Sequence, residues 1–150
     1  MIADEIIAFV RSLGDVHVQR PAPGDGTPAI AWGDTFVYYS PDGSLPRAQP
    51  FVTIVTKQYP DEPPAGLDAE GAFRVNVAAG TDEFRARLGR DPKDPAPEGE
   101  TLEGRIGAHP TYSSLGWLAV RNPTPDCGVL ELIRTAHTQA ANRFERRTSA

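Results

Sequence analysis

The residue whose type and setting most readily suggest chemistry is His109, in the run Gly107-Ala108-His109-Pro110-Thr111-Tyr112. Proline after it holds its backbone extended. The imidazole is thereby expected near Tyr112 and Trp117. A positioned histidine with an ordinary pKa titrates near neutrality and can serve as general acid or base, with Tyr112 or Arg74 assisting. The structural alternative is a loop histidine that caps the entry to a strand with a hydrogen bond.

A second set of candidates comes from strand alternation. In Phe73-Arg74-Val75-Asn76-Val77, the apolar residues occupy one face, and Arg74 and Asn76 the other. In the last strand, Trp117, Ala119 and Arg121 oppose Leu118 and Val120. If the two strands pair, Arg74, Asn76, Trp117 and Arg121 share one surface with Tyr38 or Tyr39. An aromatic floor with a few amides and guanidiniums suits a small-molecule site. It equally describes a solvated sheet face or a dimer interface.

Other chemistries find less support. Cys127 stands alone, near the start of the last helix, with no sequence partner that would make its thiol reactive. His17, His109 and His137 are far apart, and neither Cys-x-x-Cys nor His-Glu-x-x-His spacing occurs. No metal or cofactor is expected. The glycines follow no phosphate-loop order, and no serine lies in a Gly-x-Ser-x-Gly context. Arg134, Arg143, Arg146 and Arg147 follow the last helix, and Arg85, Arg87 and Arg90 the second. Dipole complementation at a helix C-terminus accounts for cations of this kind.

These residues have to be positioned by a short list of elements. Ile2, Ile6, Phe9, Val10 and Leu13 recur at helical spacing, and Gly14 follows as a cap. Strands are expected at 15–19, 29–32, 35–39, 51–56, 73–77 and 115–121, with Gly33-Asp34 as a hairpin turn. Thr81 is the expected N-cap of a short helix bearing Phe84 and Leu88. The last helix is expected to begin near Thr124-Pro125-Asp126 and to carry a stripe of Val129, Leu132, Ile133, Ala136, Ala140 and Phe144. The segments 21–28 and 90–100 are proline- and glycine-rich and read as irregular loops. Consecutive short strands favour an antiparallel sheet. The prediction is a single α+β domain over 1–150: about five antiparallel strands with two to three helices on one face, a two-layer sandwich whose other face is free.

Length and composition agree. A chain of 150 residues with 39% hydrophobic and 23% charged residues has the makings of one folded domain. Its net charge of −5 works against wholesale attraction to phosphate backbones, so a nucleic-acid partner is not favoured. One cysteine excludes an internal disulfide and fits a reducing compartment. No apolar run is long enough for a membrane span. Asp4 and Glu5 stand where a signal peptide would be cationic. Cytoplasmic is the expected location.

The runs Gly33-Asp34-Thr35-Phe36-Val37-Tyr38-Tyr39, Phe51 to Thr56 and Phe73 to Val77, with His109-Pro110-Thr111-Tyr112, Trp117, Asn122-Pro123 and the terminal helix, resemble a family of actinobacterial proteins of the domain-of-unknown-function 6194 type. The resemblance covers most of the chain, Pro21 to Ala31 being its least typical part. More distantly, the order of elements resembles MmcQ/YjbR-like proteins, small α+β domains suspected of binding DNA. Both imply the same fold, and neither implies an activity or a catalytic residue. Three functions are carried forward. The first is binding of a small molecule or partner, a second copy of the chain included, through the free sheet face. The second is a small enzyme, of the type that tailors secondary metabolites, using His109. The third is nucleic-acid binding.

Overall fold

A computed structural model describes residues 1–64 and 66–149. Helix α1 spans Ala3–Leu13 and buries Ile6, Ile7 and Val10. Glu5 accepts a hydrogen bond from the Ile2 backbone N–H at 3.0 Å, and Gly14 ends the helix at φ 78°. Six strands follow: β1 (Val16–Gln19), β2 (Thr35–Tyr39), β3 (Val52–Val55), β4 (Arg74–Ala78), β5 (Gly107–Ala108) and β6 (Trp117–Arg121). Helix α2 spans Thr81–Leu88 and α3 spans Val129–Thr148. The strands form one sheet in the order β1-β2-β3-β4-β6-β5, antiparallel at every neighbour.

Register sorts the side chains. Val52 pairs with Val77, Val77 with Leu118, Ile54 with Val75 and Val75 with Val120. These residues and Val37 form one buried cluster with Ile6, Ile7 and Val10 of α1, Phe84 of α2, and Val129, Leu132, Ile133, Ala136 and Ala140 of α3. The three helices therefore close one face of the sheet, an α+β sandwich as expected.

The details depart from expectation in five places. The sheet has six strands, because Gly107–Ala108 adds a two-residue edge against Leu118 and Ala119. Residues 29–31 form a 3-10 turn, not a strand, so Gly33-Asp34 is no hairpin. Alternation over four residues cannot distinguish the two, and Pro28 opens the turn. Gly80, at φ 88°, holds the N-cap position of α2 expected for Thr81. Here the backbone of Gly116 comes so near that a Cβ on Gly116 would lie 2.6 Å from the Gly80 carbonyl carbon. Helix α3 starts at Val129, after a turn over 124–128 whose Thr124 carbonyl accepts from the Cys127 N–H.

The fifth departure bears on function. The second sheet face is not free. The connection between β3 and β4 folds back over it, and Leu67 and Ala72 pack on Val55 and Tyr59 in a small separate cluster. Arg74 and Asn76, expected to be open to solvent, are 2% and 3% exposed.

Candidate functional site

The strap between β3 and β4 is held by polar groups at two points. At its start, the buried Asp34 carboxylate accepts from the Thr56 backbone N–H at 2.9 Å and the Thr56 hydroxyl at 3.0 Å. Its other oxygen accepts from the Tyr59 hydroxyl and lies 3.1 Å from Lys57 Nζ. Burial, followed by that carboxylate, pushes the Tyr59 phenol up. Further along, Glu62 meets Arg74 Nη2 at 2.7 Å. Arg74 Nε donates to Asn76 Oδ1 at 2.8 Å, and Asn76 Nδ2 donates to Thr53 Oγ1 at 3.0 Å. A buried guanidinium needs a counter-charge, and the strap delivers it.

Beside this strap lies a cavity of about 950 Å³. Its floor is the second sheet face: Phe36, Thr53, Val55, Asn76, Ala78 and Trp117. The strap contributes Tyr59 and Glu62. The β2–β3 connection contributes Arg47 to Pro50, and the last turns of α3 contribute Ala140, Arg143 and Arg147. One side of the cavity lies where β2 ends at Tyr39, β4 ends at Ala78 and β6 begins at Trp117, with Phe51 just before β3. His109, Tyr112 and Leu115 complete the wall.

His109 is 3% exposed and is fixed by its own loop. Its backbone N–H donates to the Trp117 carbonyl at 3.1 Å, extending the β5–β6 ladder. Its Nδ1 accepts from the backbone N–H groups of Thr111 and Tyr112, each at 3.0 Å. Two N–H donors aimed at Nδ1 require a lone pair there, so the neutral ring carries its proton on Nε2. The ring packs against Tyr112 and Trp117, with centroids 5.0 and 6.1 Å away. Burial, and then the Arg74 charge, lower its pKa to about 3. The imidazole thus stays neutral at physiological pH, whereas an ordinary titration near neutrality was expected.

The candidates from the sequence separate into groups. Asn76, His109, Tyr112 and Trp117 line the cavity together. Arg74 shares their face by register but lies buried and engaged by Glu62 and Asn76. Arg121 also shares that face, yet its Nε pairs with Glu103 at 2.6 Å, which holds the Glu103 carboxyl below the usual range. The strap crosses Arg121 so closely that a Cβ on Gly66 would collide with its guanidinium. Tyr38 shares the face but lines no part of the cavity, and its hydroxyl is 3.4 Å from Gln19 Oε1. Tyr39, on the other face, reaches the cavity from the strand end.

Arg47, Tyr59, Glu62, Arg143 and Arg147 line the cavity and were not among the sequence candidates. The i,i+4 spacing of Arg143 and Arg147 places both on one side of α3 and was a readable signal. Cys127 borders a separate, smaller cavity of about 460 Å³ beside Arg87 and Arg105. Among the described residues, no group of three or more histidine, cysteine or carboxylate side chains is arranged to hold a metal ion. No helix among them is long and apolar enough to cross a membrane.

Fold and site together define a small α+β domain with one helix-covered sheet face and a cavity on the other. The chain belongs to a family of unknown function, DUF6194, whose model matches residues 1–149. No curated protein and no solved structure matches it.

Proposed function

We propose that this domain binds a small molecule in the cavity on the strap-covered face, with His109 as a fixed hydrogen-bond donor. One observation carries the reading. A buried, neutral imidazole has its Nδ1 satisfied by two backbone N–H groups, and its ring lines a cavity with largely aromatic and aliphatic walls. Ligand sites have this composition: an apolar body with a few oriented polar groups. The Nε2–H has no hydrogen-bond partner among the described residues, so it is available to an acceptor on a ligand.

As a catalyst, the same imidazole would be a weak choice. Its Nε2 already holds the proton, so it cannot act as a base there, and a neutral imidazole is a poor acid. Polarising a carbonyl by hydrogen bonding is the step such a ring could perform, with Tyr112, 48% exposed, at the mouth. Binding is the simpler reading, and a cytoplasmic setting is consistent with the lone, half-buried Cys127.

The test uses Trp117 as a reporter from inside the cavity. Trp32 is the other indole, so Trp32→Phe leaves Trp117 alone. A thermal-shift screen of small metabolites should find stabilising compounds. Occupancy at a hundred times Kd stabilises by about 2.7 kcal/mol. The same compounds should change Trp117 emission, and His109→Gln should weaken both effects. If compounds stabilise the protein without changing Trp117 emission, or none stabilises it, the cavity is not a ligand site.

A further inference from the structure

The cavity lining is biased toward hydrogen-bond donors and positive charge. Arg47, Arg143 and Arg147 all line it. Among the described residues, none of the three pairs with a carboxylate. Some arginines elsewhere are paired, Arg20 with Asp4, Arg87 with Glu83 and Arg90 with Glu100, and others, such as Arg11 and Arg105, form no ion pair among the described residues. What sets these three apart is that they line one cavity together. Burial first, then the charges of Arg147 and Arg146, pull Arg143 below its ordinary value, which marks positive charges crowded together on α3. The one carboxylate lining the cavity is Glu62, already engaged by Arg74 Nη2 at 2.7 Å. The local excess is three positive charges on a chain whose net charge is −5.

Four neutral polar groups of the lining point the same way, while Gln49, Tyr39 and Tyr112 can donate or accept. His109 offers Nε2–H and no acceptor. Asn76 has its oxygen taken by Arg74 and one N–H given to Thr53, leaving its second N–H as a donor. Thr53 accepts from Asn76, so its own hydroxyl hydrogen is free to be given elsewhere. The Tyr59 hydroxyl donates to Asp34. A ligand that satisfies these four groups brings acceptors, and unpaired guanidiniums favour those acceptors being charged.

We infer that the ligand class is an aromatic or aliphatic acid: an apolar body on the Phe36–Trp117 floor, with its carboxylate, phosphate or sulfonate at Arg143, Arg147 and Arg47. This rests on the ligand-binding reading above and adds the charge of the ligand to it. Cations at a cavity mouth with apolar walls concentrate field there and draw anions in, despite the acidic surface elsewhere.

Two fluorescent probes share one anilinonaphthalene body and differ only in charge: 8-anilinonaphthalene-1-sulfonate and N-phenyl-1-naphthylamine. With the Trp32→Phe chain, energy transfer from Trp117 reports binding in the cavity. The sulfonate should bind at least tenfold more tightly than the neutral probe, and rising salt should erode that preference. In the Arg143→Gln/Arg147→Gln double variant the preference should fall below about threefold while the neutral probe binds as before. Both side chains lie on the outer turns of α3, and a melting curve verifies folding. Equal binding of the two probes in the cavity would overturn the assignment of an acid but leave the cavity a ligand site. So would a preference that survives the double variant. Failure of both probes to receive energy from Trp117 would overturn the acid and the ligand-binding reading together.

Discussion

The helices and the strap cover opposite faces of one sheet, and they do it with different chemistry. On the helix side, apolar residues from three helices meet Val37, Val52, Ile54, Val75, Val77, Leu118 and Val120 in one buried cluster. Burial of that kind is non-directional and sums over many contacts. On the strap side, the apolar contribution is small, with Leu67 and Ala72 on Val55 and Tyr59. Specific polar links do the holding there: Asp34 to Thr56 and Tyr59, and Arg74 to Glu62. A face closed by a few directional links leaves room for a cavity, whereas a close-packed face does not. The division of labour is that one face stabilises the fold and the other leaves room for the proposed site.

The sharpest way to break this contrast is to damage each face in turn. Leu132→Ala opens the helix-side core and should destabilise the whole domain by about 2–5 kcal/mol, read by urea unfolding. A loss under about 1 kcal/mol would mean that α3 is not a principal part of the core. Glu62→Gln leaves the Arg74 guanidinium buried without its counter-charge. The effect should be about 2–3 kcal/mol, short of the roughly 3–5 kcal/mol seen for full burial, because Glu62 keeps 15% exposure. Unlike the core change, it should act locally, with backbone amides of 56–72 exchanging faster while those of α3 stay protected. Uniform acceleration across the chain would erase the distinction between the two faces.

His109 provides a pH-dependent version of the same test. Its folded-state pKa, about 3, lies below the ordinary 6.5. As pH falls, the unfolded chain takes up this proton first. The neutral imidazole's contribution is complete above about pH 6.5 and shrinks progressively toward pH 3. Between pH 7 and 5 the wild type should lose about 2 kcal/mol that His109→Gln does not lose. Parallel pH profiles for the two proteins would show that the ring is not buried neutral. The smallest effect belongs to the exposed Arg85–Asp91 pair, 3.0 Å apart. Arg85→Ala should change stability by less than about 1 kcal/mol, with no effect on either face.

Much of the sheet was legible because alternation has a period. Phe73 to Val77 reads as a strand, and its parity puts Arg74 and Asn76 on the face away from Val75, as the register has it. The stripe on the last helix is equally periodic, and all but Phe144 of its members are fully buried. The strap had no such signal. Tyr59 to Gly66 is proline-rich and aperiodic, so nothing in it showed that Tyr59 and Glu62 would fold back onto β4. A chemical clue was present nonetheless: an arginine alternating with valines in a central strand requires an acid from somewhere, and the adjoining loop carries four, Asp61, Glu62, Asp68 and Glu70. Asp34 was hidden by its turn-like dipeptide. Arg143 and Arg147 were read as complements to the helix dipole, an account that explains cations at a C-terminus without saying what else they face.

The most direct measurement is the protonation and tautomer of His109 by nitrogen-15 NMR of the imidazole, with His109→Gln to assign the signals. The structure predicts a protonated Nε2, an unprotonated Nδ1 and no titration between pH 8 and pH 5. A His109 ring that titrates near pH 6.5, or carries its proton on Nδ1, would contradict the fixed donor on which the proposed binding site rests.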